Sequence, residues 1–201
     1  NLIKRAPPGL KEKLLGIYNV KYLLALYSQE EGLTRRHKDM EMVRRFDKSL
    51  TILYRNKRYL PRAYYVPSAR IVSTDKQALS ALTKEDFDPV KEVIITVKEP
   101  AGGPASTHSG PGENLPETGK GRSRGIEGID AGVRLLEYGD SLVSVGVNFD
   151  RRGYLVLSDV HYPGWSVAVD GKPIELLKAN YLFRAVELSA GTHFVRFKYT
   201  P

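Results

Sequence analysis

The C-terminal third of the chain alternates apolar and polar residues in short runs that turn residues separate. In the last run, the odd positions from His193 to Tyr199 fall on one face and the even positions on the other. A period of two predicts β-strands with one buried and one wet face, and this cadence of strands and turns predicts an antiparallel β-sandwich of jelly-roll-like form. Asp170-Gly171 is the strongest hairpin signal, because a type I′ turn needs positive φ at both central residues.

The pattern changes part-way through residues 10–26. Leucines with helical spacing predict a short helix that begins at Leu10 and breaks near Asn19. The run from Val20 to Leu26 is apolar and aromatic, which predicts a buried strand. The polar residues 28–48, in which arginine and lysine dominate, predict a loop or an exposed helix.

Two further strands are predicted on either side of a turn at Asn56-Lys57. Pro61 and Pro67 cannot donate a backbone hydrogen bond, which places the second strand at a sheet edge or next to a bulge. A helix follows over residues 75–87 and then the strand-like sequence VKEVIITV. This helix–strand step resembles half of a βαβ unit, which by itself does not predict a Rossmann domain.

The predicted start of that helix is marked by Thr74 or Asp75, either of which can accept a hydrogen bond as the N-cap. Pro89 ends the predicted helix, because proline cannot continue a helix.

Residues 99–132 hold nine of the eighteen glycines and four of the twelve prolines, with almost no apolar residues. Such a segment cannot offset its loss of conformational entropy by burial, so it predicts a flexible loop or linker. The chain therefore divides into a mixed α/β region at 1–98, this linker at 99–132 and a β-sandwich region at 133–201. The predicted fold class is β-rich α+β, with the N-terminal strands and helices packed on the sandwich.

The net charge of +8 is concentrated at the N-terminal end. Residues 1–72 hold 16 Lys and Arg against 6 Asp and Glu, whereas residues 73–201 hold 15 against 17. Such a basic block suits an anionic surface, such as lipid headgroups or a phosphate-bearing polymer, or it is simply a solvated face. No helix-turn-helix, zinc-finger or RNP-type sequence accompanies it, so we expect no nucleic acid partner.

Several kinds of chemistry find no support in the sequence. Cysteine is absent, which excludes disulfides and thiolate sites, and the four histidines lack metal-site spacing, so we expect no metal and no cofactor. No Gly-x-Ser-x-Gly sequence is present, and we expect no catalytic residue and no serine triad. The letters LPETG at 115–119 match a sortase signal, but the apolar span and basic tail of such signals do not follow, so we interpret the match as chance.

The only tryptophan lies in the sequence HYPGW, directly after a Pro-Gly turn. Aromatic rings at the loop tips of a β-sandwich can stack on sugars, although the sequence favours a core position for Trp165 between the sheets. Aromatic rings and a forked cation suit sugars and phosphates. The candidate polymer contacts are therefore Tyr162, Trp165, Tyr181 and Arg184.

Four separated stretches resemble the C-terminal region of the YfhO-like family of bacterial membrane proteins. These are LLGIYNVKYLLAL at 14–26, YLPRAYYVPSARIV at 59–72, EDFDPVKEVIITV at 85–97 and, most specifically, GYLVLSDVHYPGWSVAVDGKPIELLKANYLFRAVELSAGTHFVRFKY at 153–199. The resemblance implies a multi-spanning parent protein like the GT-C glycosyltransferases, which use polyprenyl-phosphate sugars to decorate envelope polymers. It also implies that the catalytic acidic residues lie in other loops of the parent, outside this chain.

The resemblance implies a non-catalytic domain at the bacterial cell membrane, on its extracytoplasmic (periplasmic or outer) face. Its expected role is to position an envelope glycopolymer or a partner subunit above the parent's own transmembrane region. A structural brace that rests on anionic lipid headgroups and a carbohydrate-binding module of a secreted protein are the alternatives. The start at Asn1 and the stop at Pro201 are expected of a piece of a longer protein.

Overall fold

The computed structural model describes residues 6–29, 37–97 and 132–201. Within these ranges the chain forms two α-helices, α1 (Leu10–Ile17) and α2 (Asp75–Thr83), and fourteen strands in three sheets. The predicted class, β-rich α+β with an antiparallel sandwich, is confirmed. The predicted linker at 99–132, apart from Gly132, and the LPETG sequence lie outside the described residues.

The strands follow the chain in the order β1 (Tyr22–Leu26), β2 (Met40–Phe46), β3 (Thr51–Asn56), β4 (Ala63–Val66), β5 (Ser68–Val72), β6 (Glu92–Thr96), β7 (Val133–Tyr138), β8 (Leu142–Phe149), β9 (Gly153–Val160), β10 (Trp165–Val169), β11 (Lys172–Ile174), β12 (Leu177–Ala179), β13 (Phe183–Leu188) and β14 (Gly191–Tyr199). They form a three-stranded sheet of order β1-β3-β2, a five-stranded sheet of order β11-β10-β14-β8-β7 and a six-stranded sheet of order β4-β9-β13-β12-β6-β5. Neighbouring strands are antiparallel except for β5 and β6, which are parallel.

The six-stranded sheet is buried on both faces. On β9, Leu155 and Leu157 point into the core shared with the five-stranded sheet, whereas Val156 between them packs into the core beneath α1 and α2. On β13, Val186 and Ala185 repeat this division. Side chains alternate between the faces of a strand, so apolar residues at successive positions allow one sheet to serve as the wall of two cores.

Pro67 marks the point where the chain passes from one edge of this sheet to the other. The edge strands β4 and β5 are separated in sequence by Pro67 alone, so the two edges must approach each other and the sheet must curl. Proline at an edge leaves no ladder hydrogen bond unmade, and the predicted edge position is confirmed.

Several local predictions from the sequence are also confirmed. Thr74 is the N-cap of α2, where its hydroxyl accepts a hydrogen bond from the Gln77 N–H at 3.2 Å. The helix joins the parallel strands β5 and β6 and so completes a βαβ unit. Asp170 and Gly171 have φ of 51° and 79°, as the hairpin between β10 and β11 requires.

Two predictions for the N-terminal region are wrong. The expected loop or exposed helix at 28–48 contains β2, an edge strand whose pairing with β3 shifts register between Met42 and Arg44. Most of its side chains are exposed, and the shift breaks the alternation, so the sequence carries no strand period there.

The second error concerns β1, which is a strand but not a buried one. Its outward side chains Tyr22, Leu24 and Leu26 are 49%, 65% and 53% exposed. Only the opposite side of β1 covers a core, where Ala25 packs with Ile52 of β3 and other residues of this small sheet. Apolar composition alone therefore overestimated the burial of this strand.

Gly16 in α1 lies where the helix contacts the segment between β3 and β4. Its carbonyl oxygen accepts a hydrogen bond from the Leu60 N–H at 3.2 Å, and a Cβ on Gly16 would lie 1.8 Å from the backbone oxygen of Arg58. The approach is too close for any side chain, so glycine at this position holds α1 against the chain that leaves the three-stranded sheet.

We expect Gly16→Ala to lower the free energy of unfolding by about 3 kcal/mol, because backbone must move to admit the methyl group. Gly139→Ala is the matched control, since its Cβ would meet the nearest backbone oxygen at an ordinary 3.6 Å. Urea denaturation followed by circular dichroism measures both variants. Equal stability of the two would contradict the close approach at Gly16.

Candidate functional site

Arg184 on β13 is a buried cation that faces the five-stranded sheet. Its neighbours Phe183 and Ala185 point into the core beneath the helices, so the alternation of the strand directs Arg184 to the opposite face. The side chain is 3% exposed, and its guanidinium carbon lies 3.7 Å from the centroid of the Trp165 ring. Burial lowers the pKa of Arg184, and the charge of Asp159 opposes that shift.

Asp159 at the end of β9 joins this arginine to a second one. One carboxylate oxygen lies 3.2 Å from Nη2 of Arg184, and the other accepts a hydrogen bond from Nη1 of Arg62 at 2.7 Å. Arg62 also donates to the hydroxyl of Tyr138 at 2.7 Å, and that hydroxyl donates to Asp159 at 3.3 Å. The carboxylate therefore compensates two cations, one buried and one partly exposed.

Trp165 packs against the core of the sandwich with part of its side chain exposed. Its ring contacts the guanidinium of Arg184 and also the ring of Tyr199, whose centroid is 5.4 Å away. The indole is thus occupied by contacts within the protein. The structure brings Trp165 and Arg184 together, but as partners of each other.

The other two candidates, Tyr162 and Tyr181, lie on neighbouring segments. Tyr162 follows β9 and is 58% exposed, while Tyr181 precedes β13 with its ring 5.3 Å from Nζ of Lys178. A backbone hydrogen bond of 2.6 Å from the His161 N–H to the Leu182 oxygen holds the two segments side by side. Contact of any of the four candidates with a polymer stays a prediction.

A hydrogen-bonded row of three side chains was missed by the sequence analysis. Ser189 Oγ lies 3.1 Å from His193 Nε2, and His193 Nδ1 lies 2.8 Å from Asp170 Oδ2. The other carboxylate oxygen of Asp170 accepts a hydrogen bond from the Phe194 N–H at 2.8 Å. The bonds from His193 and then from Phe194 lower the pKa of Asp170.

This row has the order of groups found in serine hydrolases, but its surroundings differ. The side chain of Asp170 is 49% exposed, and a hydrolase triad needs a substrate cleft with oxyanion donors beside the nucleophile. Two clefts of about 290 and 360 Å³ that the described residues form are lined by other residues. We therefore assign the row to fastening the turn after β10 to the turn before β14.

The exposed side of the three-stranded sheet forms a second candidate surface. Cross-strand pairing places Leu24 beside Leu53 and Leu53 beside Arg44 in one row, with similar rows above and below. We call this surface the outer face, and it comprises Tyr22, Leu24, Leu26, Glu41, Arg44, Phe46, Thr51, Leu53 and Arg55. Arg44 lies over the Phe46 ring at 5.2 Å, and Arg55 pairs with Glu41 at 2.6 Å.

Residues 129–201 match the family model described as bacterial membrane protein YfhO. The YfhO-like resemblance is confirmed over that segment. The matched segment contains the whole five-stranded sheet, three strands of the six-stranded sheet and all four candidate polymer contacts. The curated proteins and the solved structures gave no match to the chain.

The matched family model describes a bacterial membrane protein, and it covers the C-terminal 73 of the 201 residues. Neither of the two α-helices in the described ranges has the length and apolar content that a membrane span requires. The described residues also hold no group of three or more His, Cys, Asp or Glu placed to bind a metal ion.

We expect Asp159→Ala to lower the free energy of unfolding by about 3 kcal/mol, because it leaves the buried guanidinium of Arg184 without its carboxylate. Adding Arg184→Met should restore part of that stability, since the double variant buries no charge there. Asp140→Ala in an exposed turn is the control and should change little. Urea denaturation of the wild type, the two single variants Asp159→Ala and Arg184→Met, their double variant and the control measures the coupling, and losses that simply add would contradict it.

Proposed function

We propose that this chain is a non-catalytic, extracytoplasmic domain of a YfhO-like, glycosyltransferase-like membrane protein. In this proposal it positions a cell-envelope polymer acceptor or a partner subunit close to the membrane-embedded part of its parent. The observation that carries the proposal is the exposed Tyr162 beside the segment of Tyr181, within the part of the chain that matches the family model.

The side chains around Tyr162 and Tyr181 suit a sugar or a phosphate-bearing polymer. Tyr162 offers an exposed ring for stacking, and Lys178 supplies a cation over the neighbouring Tyr181. Asp75 holds the ammonium of Lys178 at 2.7 Å, so the cation has a defined place. Burial lowers the pKa of the nearby His161, which favours its neutral form at pH 7.

The packing of Trp165 changes which residues are useful in a test of polymer binding. Removing Trp165 would uncover the guanidinium of Arg184 and loosen the sandwich, so lost function in that variant would have two explanations. Tyr162 is largely exposed, and its removal should leave the fold intact. We therefore propose Tyr162 as the first polymer contact to test, and Tyr181, which packs partly on the core beneath the helices, as the second.

A structural brace at the membrane surface is the second candidate function. The outer face supports it, because it joins exposed apolar side chains to a segment rich in cations. Residues 21–29 and 37–58 carry eight Lys and Arg against three Asp and Glu. A carbohydrate-binding module of a secreted protein gains no support from a match to a membrane protein.

We expect Tyr162→Ala, introduced into the protein in its native cell, to reduce sugar transfer to the envelope polymer about three- to tenfold, the range that one lost stacking contact gives. Phe194→Ala is the matched control, because Phe194 is an exposed aromatic residue of β14. It lies away from the end of β14 where Tyr199 pairs with Trp165. Immunoblots of membranes should show equal amounts of both variants. Unchanged transfer in a Tyr162→Ala/Tyr181→Ala double variant would refute the polymer-positioning role.

The brace predicts that the purified chain sediments with vesicles that contain anionic lipid. Binding should be strong at about 50 mM NaCl and fade by about 300 mM, because salt screens the attraction between the basic segment and the headgroups. Vesicles of phosphatidylcholine alone are the control and should bind far less. A chain that ignores anionic vesicles even at low salt would eliminate the brace.

A further inference from the structure

We infer that the outer face docks on an anionic lipid surface. The side chains of Tyr22 and Leu24 enter the headgroup layer, and neighbouring cations bind lipid phosphates. This inference rests on the brace function proposed above and names the part of the chain that carries it.

The exposed apolar side chains on β1 stand on one side of the three-stranded sheet. This strand lies at the edge of its sheet, and its outward residues stand about 7 Å apart along the strand, so they form one ridge. Leu24 at the centre of the ridge is 65% exposed, and its outward neighbours Tyr22 and Leu26 are 49% and 53% exposed. A cluster of exposed apolar side chains on one surface is typical of an interaction site.

Cations lie beside the ridge. Nζ of Lys21 lies 5.6 Å from the Tyr22 ring centroid, and Arg44 stands in the row of Leu24 and Leu53. Both side chains have long apolar stems, which can lie along an inserted surface while the charged ends reach phosphate groups. A membrane surface that contains anionic lipids attracts such cations.

Other occupants fit the face less well. A second copy of the chain would bring the basic segments of two molecules together, and the like charges would repel. A phosphate-bearing polymer would satisfy the cations but would leave the leucines exposed to water. An anionic membrane complements both the charge and the apolar ridge, and the family match is to a membrane protein.

The chain contains no cysteine, so one introduced thiol can carry a polarity-sensitive fluorophore. We expect labelled Leu24→Cys to show a blue shift and brighter emission on vesicles of phosphatidylcholine with about 30 mol% phosphatidylglycerol. Labelled Leu136→Cys is the matched control, because Leu136 on β7 is 49% exposed and lies on the five-stranded sheet. Its emission should stay that of a label in water.

Unlabelled variants test the same face without a fluorophore. Leu24→Ser should weaken vesicle binding about fivefold, whereas Leu136→Ser should leave it unchanged. Arg44→Gln should weaken binding by a similar factor and make it less sensitive to salt, with the exposed Arg196→Gln on β14 as its control. Circular dichroism of each variant verifies that these exposed positions leave the fold intact.

The outcomes separate this inference from the brace itself. Vesicle binding without a spectral change at position 24, and without an effect of Leu24→Ser, would overturn docking through the outer face while the brace survives. Absence of binding to any vesicle would overturn both. If the chain forms dimers at high concentration and Leu24→Ser dissociates them, a second copy occupies the face. That result would also overturn the inference.

Discussion

The arrangement of the whole structure depends on one sheet that must be covered on both faces. The apolar residues of β9 and β13 point in both directions, so the six-stranded sheet needs the five-stranded sheet on one side and the two helices on the other. Three of its strands come from residues 63–96 and three from residues 153–188. The regions 1–98 and 133–201 therefore share a core, and their separation as units of folding stays a prediction.

Much of this fold could be predicted from the sequence, because local signals and local structure agree there. The alternation of β14, the cap at Thr74 and the turn at Asp170-Gly171 each depend on neighbouring residues alone. The failures concern β1 and β2, where the outcome depends on which side of a small sheet finds a partner. Apolar composition states what a strand could bury, but the fold decides which of its faces is covered.

The candidate site shows the same limit. Aromatic and cationic residues of the segment 161–184 could be recognised as suited to sugars, yet the stacking of Arg184 on Trp165 depends on contact between two sheets. Asp159 and its partners from other strands could not be found, since their register is set by strand order across the sheet. The row that ends at Ser189 was missed for the same reason, because it joins turns of separate hairpins.

The stacking of Arg184 on Trp165 also has an optical consequence. Trp165 is the only indole in the chain, and it lies where β10 meets β13, in contact with the guanidinium of Arg184 and the ring of Tyr199. Ultraviolet emission excited at long wavelength comes from this one ring, so it reports the integrity of this contact and little else. The emission of Trp165 therefore reports, without an added label, whether the two largest sheets remain packed together.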